Sequence, residues 1–213
     1  MKKKFDTKYL VTLAMLCAIV AIMGLSRIGF ISLPLIKATT MHIPVIIGAI
    51  ILGPNAGAVL GAIFGLCSIW ANLAPDSVLS FVFNPFMSTE GFLGVCKSLW
   101  VALGCRIIFG YLTGWIWRLF HKAIKKDLLS LTLTATLSSI THTILVMGSI
   151  YGLFAARYAQ EKNIAYTAVF GTIIGIVTTS GVAEAILAGI VVSVICVALF
   201  KVINRTPMGK GGN

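Results

Sequence analysis

The chain has 213 residues, of which 58% are hydrophobic and only 11% carry a charged side chain. Soluble globular domains contain about 25% charged residues, so this composition excludes an ordinary soluble domain. The net charge of +11 does not indicate nucleic-acid binding, because the basic residues cluster at the ends of apolar segments and fit a role in membrane orientation. The five cysteines form no CxxC pair, so neither a disulfide framework nor a metal site is predicted.

Charge-free apolar runs recur along the whole chain, and a membrane-spanning helix needs about 20 such residues. We therefore predict one all-α integral membrane domain over residues 1–213, built as a six-transmembrane-helix bundle with cytoplasmic N- and C-termini. It comprises a basic N-terminal segment (1–8), the bundle (9–203) and a tail (204–213). The first helix is expected to be retained, because no small-residue cleavage site follows it. The first five predicted spans are Tyr9–Ser26, Met41–Gly53, Ala56–Leu73, Ser98–Phe120 and Leu128–Tyr151.

The stretch Met41–Leu66 joins two of these spans through a predicted turn at Gly53–Asn55. Three glycines, Gly57, Gly61 and Gly65, follow at four-residue intervals. In water such a ladder weakens a helix by about 1 kcal/mol per Gly relative to Ala. In lipid the same spacing lets two helix backbones approach closely. We expect this stretch to be a tightly packed wall of the bundle, and Ala74–Lys97 to be a long connection.

The last apolar run, Ala165–Phe200, is too long for one simple span. Either it forms two short spans broken at Thr178–Gly181, or one span from about Gly181 follows an embedded or surface loop. A seventh span would place the three C-terminal basic residues outside, against the positive-inside rule, so we predict six spans. The cytoplasmic segments then hold eleven of the 17 basic residues: Lys2, Lys3, Lys4, Lys8, Arg118, Lys122, Lys125, Lys126, Lys201, Arg205 and Lys210.

Enzyme signatures are missing: the sequence has no GxxxxGK[ST] loop, no HExxH and no GxSxG motif. Without a phosphate-binding loop, this chain is not expected to hydrolyse ATP itself. Ionisable residues at membrane depth are the better lead, because a charge buried in a bilayer is costly and usually functional. Arg106 and Glu184 are of this kind, and each either contacts a ligand or pairs with the other to hold the bundle together. Glu184 has His142 as an alternative partner, and His142 forms a polar cluster with Thr141 and Thr143 in the fifth span.

Further polar candidates lie on the same predicted outer side: Lys37, His42, Asn84 and Ser180. Lys37 otherwise snorkels at a helix end, and Asn84 otherwise forms the turn before Pro85. In the first span, Ala14 and Ala18 form a small-xxx-small face suited to helix–helix contact within the bundle or with another protein.

The segments Ile36–Leu66, Ser80–Phe86, Arg106–Gly114, Thr141–Tyr151 and Ser180–Ala185 carry a resemblance to a known family. Over nearly its whole length the chain resembles the substrate-binding S components of energy-coupling factor (ECF) vitamin transporters, and most closely the pantothenate-type members. The resemblance implies six helices with both termini inside. It also implies a vitamin site on the outer side, formed by loops one, three and five with helices four to six.

By the same resemblance, the chain would be the vitamin-binding subunit of an ECF-type ABC importer in the cell membrane of a bacterium. It would dock through Ala14 and Ala18 onto a membrane T component driven by two ATPases, and would topple to deliver its vitamin. The resemblance also implies that this chain holds no cofactor and performs no chemistry on the substrate. The candidate substrate-binding residues are Lys37, His42, Asn84, Arg106, Thr141, His142, Ser180 and Glu184.

Pantothenate is an anion with hydroxyl and amide groups, so Lys37 or Arg106 would meet its carboxylate, and other polar candidates would bind the rest. S components for pyridoxine-like compounds, riboflavin or folate are alternatives. A stand-alone secondary transporter and a small membrane enzyme stay open as other classes, although the internal repeats of many secondary transporters are not visible.

Overall fold

The computed structural model describes residues 7–26, 29–32, 37–74, 79–88 and 90–203. These residues form a helical bundle with one small antiparallel hairpin. The helices are α1 (Thr7–Leu25), α2 (His42–Leu52), α3 (Pro54–Ala71), α4 (Ser80–Phe83), α5 (Gly91–Leu99), α6 (Cys105–Ala123), α7 (Asp127–Lys162), α8 (Tyr166–Ile176) and α9 (Val182–Ile203). The strands are β1 (Phe30–Ser32) and β2 (Lys37–Thr39), with Ile31 opposite Ala38.

Five helical runs in the described chain are long and apolar enough to cross a membrane. They are Thr7–Leu25, Pro54–Ala71, Gly91–Ala123, Asp127–Lys162 and Tyr166–Lys201. Helix α2 is apolar but shorter, and ten of its eleven residues are buried inside the bundle. The predicted first, second and third spans therefore match helices to within two residues at each end. The predicted N-terminal and C-terminal segments lie mostly outside the described residues.

The glycine ladder permits the close backbone approach that the sequence predicts, and the helix that packs against it is α6. A methyl group on Gly57 would overlap the carbonyl oxygen of Gly110, and one on Gly61 would overlap that of Arg106. The turn before the ladder is tighter than expected, because α3 begins at Pro54 rather than Ala56. Gly53, with φ of 95°, makes the whole connection, and proline is favourable in the first helical turn.

Both interpretations of the last apolar run are wrong. Tyr166–Lys201 is one uninterrupted helical run, and the expected break at Thr178–Gly181 lies in a π-helical turn, Val177–Gly181, that joins α8 to α9. The hydroxyls of Thr178 and Thr179 donate to the carbonyls of Ile174 (2.9 Å) and Gly175 (2.7 Å) in their own helix. These polar side chains are thus satisfied without interrupting the helix.

Two other predicted boundaries are also wrong. The connection Ala74–Lys97 contains α4, a 3₁₀ turn at Pro85–Met87 and the start of α5 at Gly91. Helix α7 continues eleven residues past the predicted end at Tyr151, to Lys162. With 36 residues, α7 is about 54 Å long, which exceeds the hydrocarbon core of about 30 Å. Helix α7 therefore either extends beyond the apolar layer at one end or crosses it with a strong tilt.

The core consists of two apolar clusters. The first gathers α2, α3 and the inward faces of α6, α7 and α9, around side chains such as Ile46, Leu60 and Phe109. The second joins α4 to α6, α7 and α8, around side chains such as Phe81 and Tyr158. Polar side chains lie where the two clusters meet, and they include several of the candidates predicted from the sequence.

Candidate functional site

The candidate site is a buried group of four side chains from three helices, which we call the polar layer: His42 (α2), Arg106 (α6), Ser139 and His142 (α7). His42 is 0% exposed, Ser139 1%, Arg106 3% and His142 6%. Buried ionisable residues are rare unless they have a specific role, so this group is the most unusual feature of the described interior.

The two histidines stack on each other although 100 positions separate them in sequence. Their ring centroids lie 5.9 Å apart with an interplanar angle of 13°. Ser139 Oγ lies 3.3 Å from Nε2 of His42, at hydrogen-bond distance. Phe64 and Phe109 enclose the ring of His142, with centroid distances of 5.5 and 5.0 Å.

Both ring nitrogens of His142 make no hydrogen bond within the described chain. Most buried polar atoms in native proteins are hydrogen-bonded, so such atoms call for an explanation. A neutral imidazole offers one donor and one acceptor. The pair can therefore bind a hydroxyl or an amide group.

Arg106 is held by carbonyl groups and aromatic faces. Its Nη1 donates to the carbonyl oxygens of Val101 (2.9 Å) and Ala102 (3.0 Å). The guanidinium lies over the rings of Phe64 (4.6 Å) and Phe83 (5.2 Å), and such contacts are worth about 2 kcal/mol when desolvated. Its Nε makes no hydrogen bond within the described residues.

The local structure of α6 explains the position of the Arg106 guanidinium. Val101 and Ala102 lie in the π-helical turn Trp100–Gly104, where the ordinary helical ladder is interrupted, and Arg106 binds the carbonyls of that turn. The backbone of Arg106 is in turn held against Gly61, where only a glycine leaves room. The ladder of α3 therefore helps to position the guanidinium, a link that the sequence does not reveal.

Glu184 makes neither of the two structural pairs expected from the sequence. No carboxylate of the described residues lies within salt-bridge distance of Arg106, and the nitrogens of His142 have no hydrogen-bond partner. Oε1 of Glu184 instead accepts a hydrogen bond of 2.9 Å from the backbone N–H of Thr39 in β2. This bond attaches the hairpin to α9, close to His42 in sequence.

The remaining candidates in the helices are Thr141 and Ser180. Thr141 is half-buried and donates to the carbonyl of Leu137 (2.8 Å) in its own helix. Ser180 is half-buried in the π-helical turn, one helical turn before Glu184. Next to it, a methyl group on Gly181 would lie 3.0 Å from Thr143, which marks a close approach of α7 and the π-helical turn.

Asn84 shows the geometry of its turn-forming alternative. It is 2% exposed, its Oδ1 accepts from the N–H of Phe86 (2.9 Å), and its Nδ2 donates to the carbonyl of Asn72 (3.0 Å). It thereby ties the segment around α4 to the end of α3. Lys37 is the first residue of β2, two residues before Thr39, and its side chain is not among the described features.

Ala14 and Ala18 lie on the outside of the bundle. Both are exposed on α1, where only Val20 and Gly24 are buried. Other helices of the described chain therefore do not bury this face. A small-residue seam that served only to pack helices within the bundle would be buried.

Sequence reasoning missed Ser139, Phe64, Phe109 and the amide of Thr39. Ser139 is three positions before His142, a spacing that puts both on one helix face, so it was accessible from the pattern. The aromatic enclosure and the amide were not, because they come from distant segments. Among the described residues, no group of three or more His, Cys, Asp or Glu side chains is arranged to hold a metal ion.

The arrangement combines a buried cation, two stacked imidazoles and aromatic walls, with a carboxylate holding the adjacent hairpin. It offers charge and hydrogen bonds to a small polar molecule. Together with the long apolar helices, it defines a multi-pass membrane protein with a buried polar layer.

Comparison with known proteins gives the family. The family model "ECF transporter, substrate-specific component" matches residues 8–196. The chain is also 32% identical over 172 residues to the pantothenic acid transporter PanT of Lactococcus lactis subsp. cremoris (strain MG1363), covering 80% of this chain and 82% of the relative. The chain therefore belongs to the substrate-specific components of ECF transporters and is a transporter component.

Proposed function

We propose that this protein is the pantothenate-binding S component of an ECF importer. The observation that carries the proposal is Arg106, a buried cation without a carboxylate partner in the described chain, next to imidazole nitrogens that lack hydrogen bonds. An uncompensated buried charge is costly, and an anionic ligand removes that cost when it binds. The similarity to a relative named for pantothenic acid supports the same substrate.

In this proposal Arg106 attracts the pantothenate carboxylate. His42 and His142 bind its hydroxyl or amide groups, and Lys37 adds a second positive charge from the hairpin. Glu184 holds the hairpin through Thr39, while Ser180 and Asn84 line or support the site. Phe83 lies over the guanidinium, so the segment around α4 covers the site and moves aside when the ligand enters.

We further propose six membrane crossings, counting α2 with the five long helical runs. An even number puts both termini on one side. The basic residues between α6 and α7 then place that side in the cytoplasm of a bacterial cell. As the S-component family suggests, two partner ATPases hydrolyse ATP, and this chain has no phosphate-binding loop of its own. The exposed Ala14–Ala18 face docks on the T component, and the bundle topples to release the vitamin.

The test compares pantothenate with pantothenol, the uncharged alcohol analogue, by isothermal titration of purified protein. Wild type is expected to prefer pantothenate, and Arg106→Gln is expected to lose that preference, with pantothenate binding weakened about tenfold to hundredfold as for a hydrogen bond to a charged group. Tight binding of pyridoxine, riboflavin or folate in place of pantothenate would overturn the substrate assignment.

The analogue also separates recognition from damage. If Arg106 recognises charge, Arg106→Gln weakens pantothenate binding and leaves pantothenol binding near its wild-type value. Equal loss for both ligands would mean that Arg106 only stabilises the π-helical turn. Arg157→Gln is the matched control. It removes another partly buried arginine, near the far end of α7, whose guanidinium donates to the carbonyl of Met87. This variant should keep the preference for pantothenate over pantothenol.

A further inference from the structure

Helix α7 carries buried hydroxyl side chains at four-residue intervals, and the proposed vitamin site does not use them. They are Ser130, Thr134 and Ser138, which we call the hydroxyl row, and His142 of the polar layer follows at the next interval. All three hydroxyl residues are 0% exposed. Residues four apart are neighbours on one helix surface, so the row leads directly to the imidazole. At 1.5 Å per residue, Ser130 lies about 18 Å along the helix from His142.

The hydroxyl groups of the row have no hydrogen-bond partner among the described residues. Other hydroxyls of the same helix donate to a carbonyl one turn earlier: Thr132 to Leu128 (2.9 Å) and Thr141 to Leu137 (2.8 Å). A helix thus offers a ready acceptor to serine and threonine, and the hydroxyls of the row do not take it. Because buried polar groups in native proteins are nearly always hydrogen-bonded, the partners of the row must come from outside the helix.

The row connects the surface of the bundle with the polar layer. Residues 125–129 are exposed and Ser130 is fully buried, so the row begins within one turn of the surface. At its other end, both ring nitrogens of His142 lack a hydrogen bond within the described chain. Neighbouring side chains of the row are about 6 Å apart. Two O–H···O hydrogen bonds of about 2.8 Å each span nearly the same distance, so one water molecule between two neighbours can pair with both.

We propose that the hydroxyl row binds a file of water molecules that links the polar layer to the surface at the start of α7. Each hydroxyl both donates and accepts a hydrogen bond, and none carries a charge, so the row suits water better than an ion. Proteins hold about one buried water per 27 residues, so several such waters are ordinary for a chain of this length. Water then reaches His142 along α7 without passing the hairpin or the segment around α4, whichever vitamin is bound.

Radiolytic hydroxylation of the purified full chain without vitamin, measured by mass spectrometry, tests this path, because X-rays turn bound water into radicals that oxidise adjacent side chains. Two reporter rings, Phe64 and Phe109, contact His142 and are 0% exposed. The control ring is Phe154, which is 3% exposed and packs on Phe81 in the second apolar cluster. The reporter rings of wild type should be hydroxylated well above the control ring, although all three are buried.

Variants of the row show whether the water follows this path. Thr134→Val with Ser138→Ala removes two hydroxyls at little change in volume, and hydroxylation of the reporter rings should fall to the level of the control ring. Thr113→Val is the matched control, because that buried hydroxyl already donates to the carbonyl of Phe109 (2.9 Å), and its reporter rings should be hydroxylated as in wild type. A misfolded variant is recognised by increased hydroxylation of the control ring.

Two results would overturn the proposal. Reporter rings of wild type that are hydroxylated no more than the control ring would mean that the row is dry and that its small side chains serve only close helix packing. Reporter rings that are hydroxylated equally in wild type and in the correctly folded row variant would mean that water reaches the polar layer by another route.

Discussion

The backbone N–H of Thr39 donates a 2.9 Å hydrogen bond to Oε1 of Glu184, across 145 positions of sequence. Thr39 is the last residue of β2, the second strand of the hairpin, and Glu184 lies in the first turn of α9. A carboxylate that would be costly alone at membrane depth thus has a defined partner. The bond makes the position of the hairpin depend on α9.

Removing the acceptor should release the hairpin. Glu184→Ala is expected to speed hydrogen exchange in a peptide covering residues 37–41 and to weaken pantothenate binding about tenfold, in line with a lost hydrogen bond to a charged group. Glu184→Gln keeps an oxygen acceptor and should fall between Ala and wild type in both measurements. If the two variants exchange as slowly as wild type, Glu184 does not anchor the hairpin.

His142 should contribute to binding at the expense of stability. Both of its ring nitrogens lack hydrogen bonds among the described residues, and apolar rings surround it. Replacing an unsatisfied buried polar group by an apolar group of similar shape is neutral or stabilising. His142→Phe is therefore expected to melt at or above the wild-type temperature without ligand, and to lose the stabilisation that pantothenate gives to wild type.

A scan of thermal unfolding with and without pantothenate measures both effects. Thr113→Val is the control, because that hydroxyl is buried but already donates to Phe109 in its own helix (2.9 Å). It should keep its ligand-induced stabilisation. A His142→Phe protein that melts well below wild type would mean that the imidazole is a structural element of the core.

Apolar periodicity predicted most of the fold, because a bilayer requires long runs of apolar residues. It misjudged what lies beyond those runs. The end of α7 carries three charged residues, Arg157, Glu161 and Lys162, and such a sequence predicts a loop next to a span. In the structure the guanidinium of Arg157 packs over the ring of Phe81 (4.2 Å) and donates to the carbonyl of Met87 (3.3 Å). The helix there is stabilised by contact with the segment around α4, which no local pattern encodes.

The sequence also identified the buried ionisable residues but not their partners. His42, Arg106 and His142 stood out because polar residues in apolar runs are expensive, and the structure brings them together. For Glu184 the sequence suggests a ligand contact or a side-chain partner, Arg106 or His142, whereas its hydrogen-bond partner in the structure is a backbone amide of the hairpin. Backbone groups become available only through tertiary geometry, and a sequence pattern cannot show which are left free.

The glycine ladder gives a test of packing. Gly61→Ala puts a methyl group into the carbonyl of Arg106, and overpacking of this kind costs about 1–3 kcal/mol. We expect a lower melting temperature and, because Arg106 shifts, weaker binding of pantothenate. Gly171→Ala is the matched control: nothing lies within 4 Å of its added methyl group, and alanine is the better helix former. Equal melting temperatures would contradict close packing of α3 on α6.

The exposed alanines of α1 should matter for uptake and not for binding. Ala14→Leu and Ala18→Leu enlarge a face that is exposed on the outside of the bundle, so the isolated protein should fold and bind pantothenate as wild type does. If the T component packs closely on this face, the same changes block its approach, because small residues are what permit close helix contact in membranes. Uptake of radiolabelled pantothenate by cells that carry the whole importer should then fall to background.

Ala156→Leu makes the same change at an exposed site on α7 and should leave uptake intact. Normal uptake by the α1 variants would leave that face as a lipid-contacting surface and require the T component to dock elsewhere.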